Sequence, residues 1–216
     1  MSSNLNDRIP ATSPAAPVEV RDTREQILNE ALECFAAAGY SGTSLNDIAA
    51  GVGIRRPSLL HHFASKEVLY QEVFERLLSD WFTRLAGAIT APEEGWTKVE
   101  LVLRAGFRFF ADNPGYVRLV RREALDSDGH LAVELAAVLR PMFDRAADYF
   151  AREMQAGTFV TQDARQLLIT GYGALLSYFS DVPFLEGLLD VAPMSPDALA
   201  AREEHVVEFF RAALLP

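Results

Sequence analysis

The first hydrophobic run of the chain repeats every three or four residues, as expected for one side of an α-helix. Its members are Ile27, Leu28, Ala31, Phe35 and Ala38. Thr23 and Gln26 form a capping box in front of the run, and Gly39 follows it. The pattern therefore predicts a first helix that begins at Thr23 and ends near Gly39.

A second, shorter helix is predicted after the glycine-containing turn at residues 39–43. Ser44 is suited to be its N-cap, and Gly53 marks its end. Its apolar positions are Leu45, Ile48, Ala49 and Val52. Their spacing indicates a short amphipathic helix.

A third helix is predicted to begin near Pro57, because a proline is tolerated in the first turn, where its missing amide hydrogen has no helical partner. Leu59 and Phe63 then point to one side of it. Two short helices joined by a tight turn form the unit that places its second helix in the major groove of DNA. The sequence therefore predicts a helix-turn-helix between Thr43 and Lys66.

The rest of the chain predicts longer helices and no strands, so the fold class is all-α. A long amphipathic helix is expected from Ser65 to about Ala91. Clusters of turn-forming residues then separate further helices. We expect these at about 97–112, 114–125, 131–156 with a bend near Pro141, 162–181 and 196–214. Counted together, the predicted helices number about nine.

These elements divide the chain into three parts. Residues 1–20 carry Pro10, Pro14 and Pro17 among small and polar residues and are expected to be a disordered arm. Residues 21–68 form the predicted three-helix head. Residues 69–216 form a helical body, joined to the head by the long helix.

Charge first argues against a nucleic-acid partner, because the net charge is −10 and most DNA-binding domains have a basic surface. The local distribution changes this view. The segment from Ile54 to Lys66 lacks acids and contains Arg55, Arg56, His61, His62 and Lys66. Such a segment suits phosphate contacts at one end of an acidic protein. An ordinary solvated charge cluster is the alternative.

Length and composition allow a sizeable core, since half of the 216 residues are hydrophobic. The single cysteine, Cys34, cannot form an internal disulfide and is expected to pack in the core of the first helix. The start of the chain lacks the features of a secretory signal, and no apolar run reaches the roughly 18 residues of a membrane span. We therefore expect a cytoplasmic protein without a membrane partner.

The predicted head has an inner and an outer face. The inner face, packed on the first helix, consists of Leu45, Ile48, Val52, Ile54, Leu59 and Phe63. The outer face consists of Arg55, Arg56, Ser58, Leu60, His61 and His62. The outer residues would face DNA.

Two segments of the head, 39–49 and 59–69, resemble the TetR family of bacterial transcriptional regulators. The resemblance covers roughly Arg21 to Leu69 and includes the glycine turn, the phenylalanine and the Ser-Lys pair. It implies an all-helical homodimer with a DNA-binding head and a C-terminal body that senses a small molecule or another signal. The partners implied are double-stranded operator DNA, a second copy of the chain and an unknown small-molecule effector.

The chain departs from the usual family pattern, which has tyrosines at the positions of Leu60 and His62 and commonly glycine at Pro57. Two phenolic hydroxyls are thus missing. Leu60 would offer an apolar surface, for instance to a thymine methyl group, whereas His62 could still reach a phosphate.

The predicted DNA-binding residues are Thr43, Arg55, Arg56, Pro57, Ser58, Leu60, His61, His62 and Lys66. The arginines are expected to reach base edges or phosphates, and Ser58 and His61 to reach base edges. The phosphate contacts are assigned to Thr43, His62 and Lys66. Arg21 or Arg24 could contact the backbone or minor groove. Exposure without a role is the alternative for the histidines and arginines.

The body carries more apolar surface than its own core requires, which predicts a four-helix interface between two subunits. The predicted interface residues are Leu168, Tyr172, Leu175, Val206, Phe209 and Phe210. A ligand pocket would be walled by Phe107, Phe110, Tyr116, Leu119, Phe143, Phe150, Tyr172 and Phe179. Burial within one chain is the alternative for both groups.

The sequence contains no arrangement that predicts a metal site, a catalytic residue or a cofactor. Asp126, Asp128 and His130 complete no calcium loop or zinc site, and Asp128 is better explained as a helix cap. The predicted function is a transcriptional repressor that releases its operator when a small molecule binds the body. The alternative is a helical enzyme or ligand carrier with a vestigial DNA-binding head.

Overall fold

The computed structural model describes residues 22–125 and 132–216, and these form helices and loops without strands. The helices are α1 Thr23–Gly42, α2 Leu45–Val52, α3 Arg56–His62, α4 Lys66–Thr90, α5 Gly95–Asp112, α6 Pro114–Leu125, α7 Ala132–Gln155, α8 Ala164–Ser180, α9 Val182–Leu188 and α10 Pro196–Leu214. The expected arm at 1–20, Arg21, and the group of Asp126, Asp128 and His130 lie outside the described residues.

The all-α prediction is confirmed, but the described ranges contain ten helices rather than about nine. The additional helix is α9, which has seven residues and a proline in its first turn. Two helical turns are too short to establish an apolar repeat, so the sequence pattern does not reveal this element.

The first helix begins at Thr23 as predicted, but a different residue caps it. Its N-cap is Asp22 rather than Thr23, because the Asp22 carboxylate accepts a hydrogen bond from the backbone N–H of Arg24 at 3.2 Å. Gly39, with φ +73° and ψ 176°, breaks the helical conformation as predicted, and a separate helical turn follows it as far as Gly42. A positive φ of this size favours glycine, which explains why the kink is at this residue.

A hydrophobic core fixes the three helices of the head against one another. Phe35, Ile48, Leu59 and Phe63 are completely buried, and burial stabilises each such side chain by about 1.5–3 kcal/mol. Cys34 is half-buried at the edge of this core, as predicted from its helical spacing. Burial and the neighbouring Glu30 carboxylate raise the pKa of its thiol to about 11.

The head is attached to the body mainly by α6, which lies along α1. Arg122 of α6 donates from Nε to the carbonyl of Ala36 at 2.8 Å and from Nη2 to the carbonyl of Ala37 at 2.6 Å. Beside it, the buried hydroxyl of Tyr70 in α4 donates to the buried carboxylate of Glu123 at 2.6 Å. The hydrophobic core is continuous from head to body, so the two predicted domains are packed as one unit.

Aromatic side chains fill the centre of the body. Trp81 of α4 stacks on Phe110 of α5 with a centroid distance of 5.0 Å, and Phe107 packs edge-on against Phe179 of α8 at 5.1 Å. On the outside, Arg104 of α5 forms ion pairs with acids of α10. None of the helices in the described ranges is long and apolar enough to cross a membrane.

Candidate nucleic-acid interface

The two short helices of the head meet at a tight turn that sets the direction of α3. Ser44 caps α2 by accepting a hydrogen bond from the N–H of Asp47 at 3.2 Å. At the other end, Gly53 adopts the left-handed conformation, with φ +76° and ψ +24°, and its N–H donates to Ala50 at 3.0 Å. A left-handed residue after a helix turns the chain sharply, and α3 begins three residues later at Arg56.

One face of α3 is anchored in the core, and the other is exposed. Leu59 is completely buried, and Phe63 at the end of the helix packs beside it in the same core. The exposed residues are Arg55, Arg56, Pro57, Ser58, Leu60, His61 and His62. The structure therefore brings together on one surface seven of the residues predicted to bind DNA; we call this surface the α3 face.

The α3 face carries donors and no acids. Each arginine offers several N–H donors in a planar fork that matches a guanine edge or a phosphate. The rings of His61 and His62 are neighbours, with a centroid distance of 5.9 Å. Leu60 adds an exposed apolar side chain between the polar ones.

Lys66 lies beside this face at the start of α4, in a small polar cluster that the sequence reasoning did not identify. Its ammonium is 4.3 Å from the centre of the Tyr40 ring, and the Tyr40 hydroxyl donates to the Glu67 carboxylate at 2.6 Å. This bond, together with hydrogen bonds from the Glu67 N–H and the Ser65 hydroxyl, lowers the pKa of Glu67 to about 2. Burial and the bond to Glu67 raise the pKa of Tyr40 to about 12. In the sequence, the feature that could have indicated this cluster is the tyrosine at position 40, within the glycine-containing turn at residues 39–43.

Thr43 is the predicted DNA contact that the structure places inside the protein. Its side chain is buried, and its hydroxyl lies 2.8 Å from the carbonyl oxygen of Gly39 and 3.0 Å from that of Cys34. The hydroxyl can donate its one hydrogen only to these carbonyls. The geometry thus gives this side chain a structural role at the end of α1 in place of the expected phosphate contact.

Arg24 is also engaged within the protein. Its guanidinium pairs with Glu72 of α4 and lies 5.0 Å from the centre of the Phe63 ring. The expected contact with the DNA backbone or minor groove would require this pair to separate.

The predicted pocket residues are mostly in the packed core. Those that are buried are Phe107, Phe110, Tyr116, Leu119 and Phe179. Burial also raises the pKa of Tyr116. Phe150 is half-buried and packed against the core, and Tyr172 is exposed. Phe143 differs from the rest, because it lines an open cleft between α7 and α8.

The predicted subunit interface is divided in a similar way. Leu175, Val206 and Phe210 are buried within the chain itself. Their apolar surface is thus already covered without a second subunit, which corrects the expectation that they would need one. Leu168 is half-buried, whereas Tyr172 and Phe209 remain about half exposed.

Two family models match the chain. The model described as bacterial regulatory proteins, tetR family, matches residues 27–73. The model described as tetracyclin repressor-like, C-terminal domain, matches residues 96–209. The matches include both the head with its α3 face and most of the body.

Known relatives match between half and three quarters of the chain at low identity. The transcriptional regulator RutR of Escherichia coli K12 is 27% identical over 165 residues, which are 76% of this chain and 77% of RutR. The transcriptional repressor KstR2 of Mycobacterium tuberculosis is 30% identical over 106 residues, which are 49% of this chain and 53% of KstR2.

Solved structures have the same fold. The structure of KstR2 superposes with a TM-score of 0.74 at 19% identity and covers 92% of this chain and 97% of KstR2. The structure of AibR in complex with isovaleryl coenzyme A and operator DNA superposes with a TM-score of 0.72 at 16% identity. It covers 87% of this chain and 97% of AibR.

Proposed function

Because the chain belongs to the TetR family of bacterial regulatory proteins, we propose that α3 carries the side chains that read its operator. The protein is a ligand-responsive, DNA-binding transcriptional regulator of the repressor type. The observation that supports α3 as the reading helix is the acid-free α3 face, presented outward on a rigid three-helix head. Operator binding takes place in the cytoplasm, where the DNA is accessible.

The side chains of the α3 face have different tasks. Arg55 and Arg56, at the start of the helix, form bidentate contacts with base edges or bind phosphates. Ser58 and His61 reach base edges, and Leu60 contacts an apolar base substituent such as a thymine methyl group. His62 takes a phosphate.

Lys66 adds a second phosphate contact from the start of α4. Its ammonium lies over the Tyr40 ring, which limits the positions that this long side chain can adopt. A helix N-terminus also favours an anion, because its N–H groups point outward and the helix dipole is positive there.

The experiment that tests this assignment is footprinting on DNA upstream of the protein's own and neighbouring genes, at stated salt. Arg56→Ala should weaken selective protection by about 1–3 kcal/mol if Arg56 contacts a base in a bidentate manner. Arg145→Ala, which removes an exposed arginine from α7, is the matched control and should retain full protection. Weak binding that ignores sequence and is the same in both variants would contradict the assignment.

Two copies of the chain are needed to read a near-palindromic operator, since each head contacts one half-site. We propose that they associate through the outer faces of α8 and α10. Ile169, Tyr172 and Phe209 leave large apolar side chains exposed there. An apolar patch of this kind on a helix pair suits burial against a second copy.

The effector binds the body and acts on the head through the α1–α6 contact. AibR, which shares the fold, was solved with a coenzyme A thioester and operator DNA, and an organic effector is proposed here by analogy. A ligand that prefers the arrangement of the body in which α6 is displaced would move α1, because Arg122 ties the two helices together. The operator is released because the effector binds this arrangement of the body more tightly than it binds the arrangement found on DNA.

A further inference from the structure

An open cleft of about 350 Å³ lies between α7 and α8. Its walls are Ala136, Leu139, Arg140, Phe143 and Arg165. Four of these residues belong to α7, and Arg165 belongs to the first turn of α8. The cleft thus combines apolar side chains with two guanidinium groups.

The two guanidinium groups share a single carboxylate. Arg165 Nη2 lies 2.9 Å from Asp144 Oδ1, and Arg140 Nε lies 3.8 Å from Asp144 Oδ2. Two positive charges and one negative charge meet in this group, and a second carboxylate, that of Asp163 at the N-cap of α8, accepts from the backbone N–H of Arg165 at 2.9 Å. Each guanidinium has five N–H donors, so donors remain for an additional acceptor.

Phe143 connects the charged and apolar parts of the cleft. The centre of its ring is 5.6 Å from Cζ of Arg165, a distance at which the ring face attracts the cation and helps to orient it. Leu139 and Ala136 continue the apolar wall along α7. A ligand that fits this arrangement has an apolar part against α7 and an anionic group at the guanidinium groups.

We propose that this cleft binds an amphipathic organic anion as the effector of the regulator. This rests on the ligand-responsive function proposed above and specifies its site and its chemistry. The anionic group is a carboxylate or a phosphate, both of which arginine pairs bind through charge-assisted hydrogen bonds.

The direct test is an NMR titration that follows the methyl signals of Ala136 and Leu139 in the full-length protein. The probes are octanoate, octyl phosphate, octanol and octylamine, which have the same chain and different head groups. Octanoate or octyl phosphate should bind about five- to tenfold more tightly than octanol, because the guanidinium groups are partly exposed. The comparison of the two anions decides between carboxylate and phosphate.

Four variants test whether these residues carry the preference. Arg140→Gln and Arg165→Gln should reduce the preference for the anion over octanol to about twofold or less. Asp144→Asn should strengthen anion binding, because it releases both guanidinium groups from their carboxylate. Arg145→Gln removes an exposed arginine of α7 that does not line the cleft and should change nothing.

Operator binding in the same samples separates failure of this proposal from failure of the proposed function. The cleft residues lie on α7 and α8, away from the α3 face, so all four variants should bind operator DNA as the unchanged protein does. Octanoate should lower operator affinity in the unchanged protein, and several-fold more octanoate should be needed for the same effect in Arg165→Gln. If operator binding is normal but octanol binds as tightly as the anions, the cleft proposal is wrong and the DNA-binding function stands. Absence of selective operator binding in the unchanged protein would reject the function itself.

Discussion

The hydroxyl of Thr43 lies between two backbone carbonyls inside the head, so its removal should affect folding rather than DNA binding. Thr43→Val keeps the shape of the side chain and removes the donor. We expect a loss of about 1 kcal/mol in the free energy of unfolding, seen as a decrease in Tm of about 2–4 °C. Thr43→Ser keeps the hydroxyl and serves as the control. If Thr43→Val weakened operator binding and left Tm unchanged, the hydroxyl would contact phosphate as first expected.

The hydrogen bond from Tyr40 to Glu67 should give stability a defined pH dependence. The pKa of Glu67 is lowered from 4.5 to about 2, so its contribution is present above pH 4.5 and is lost as the pH falls toward 2. The pKa of Tyr40 is raised from 10 to about 12, so its contribution is present below pH 10 and is lost as the pH rises toward 12. Between these limits the bond stabilises the folded head.

Thermal unfolding of Tyr40→Phe across pH measures this effect. The difference in Tm from the unchanged protein should be constant between pH 5 and pH 9 and should shrink as the pH decreases from 4.5 toward 2. Tyr149→Phe is the control, because the Tyr149 hydroxyl donates to the backbone carbonyl of Gly95, which does not titrate. A Tyr40→Phe difference that stays constant at acid pH would show that Glu67 is not the partner.

At the scale of elements, helices with strong apolar periodicity and clear end signals were predicted well. Helix α6 begins at Pro114, as the turn residues before it indicate, and α10 matches its predicted range at both ends. Helix α9 was missed because seven residues cannot display a repeat. Contacts such as Arg122 on α1 could not be predicted, since they join positions more than 80 residues apart and depend on how helices pack.

The contact between α6 and α1 makes the end of α1 dependent on one side chain of the body. Arg122→Met keeps the apolar stem and removes both donors to Ala36 and Ala37. We expect a decrease of about 1–3 kcal/mol in the free energy of unfolding. Backbone hydrogen exchange at residues 36–43 should also become faster, because the end of α1 loses its external support.

Mass spectrometry of hydrogen exchange provides the measurement, with Arg121→Met as a control that removes the same charge from the adjacent position of α6. An effector that acts through α6 should also shift operator affinity less in Arg122→Met than in the control. Unchanged exchange at the end of α1 would show that Arg122 does not hold the head.

At the scale of the whole molecule, the sequence assigns the inward and outward faces of the head more completely than those of the body. The head has inward and outward residues that alternate within one short segment, so one pattern assigns both faces. In the body, Phe209 and Phe210 are adjacent in sequence, yet one is half exposed and the other is buried. Helical period alone does not decide which apolar residues face the chain's own core and which face a second copy.

Gly173 offers the most specific test of the proposed association through α8. A Cβ at this position would meet no other atom within 4 Å in the single chain, although glycine in a helix costs about 1 kcal/mol relative to alanine. In the proposed dimer, a close approach by the partner's helix would explain why a glycine is useful there. Gly173→Trp should therefore keep the fold and raise the dimer dissociation constant by about tenfold or more, the equivalent of about 1.4 kcal/mol.

Sedimentation velocity across a range of concentrations measures this constant, and operator affinity should fall with it because one head alone contacts only one half-site. Gly87→Trp is the matched control, since Gly87 is also a helical glycine with open space around it but lies in α4. It should associate normally. Equal dissociation constants for the two variants would move the subunit contact away from this face of α8, and the exposed Tyr172 and Phe209 would then require a different partner.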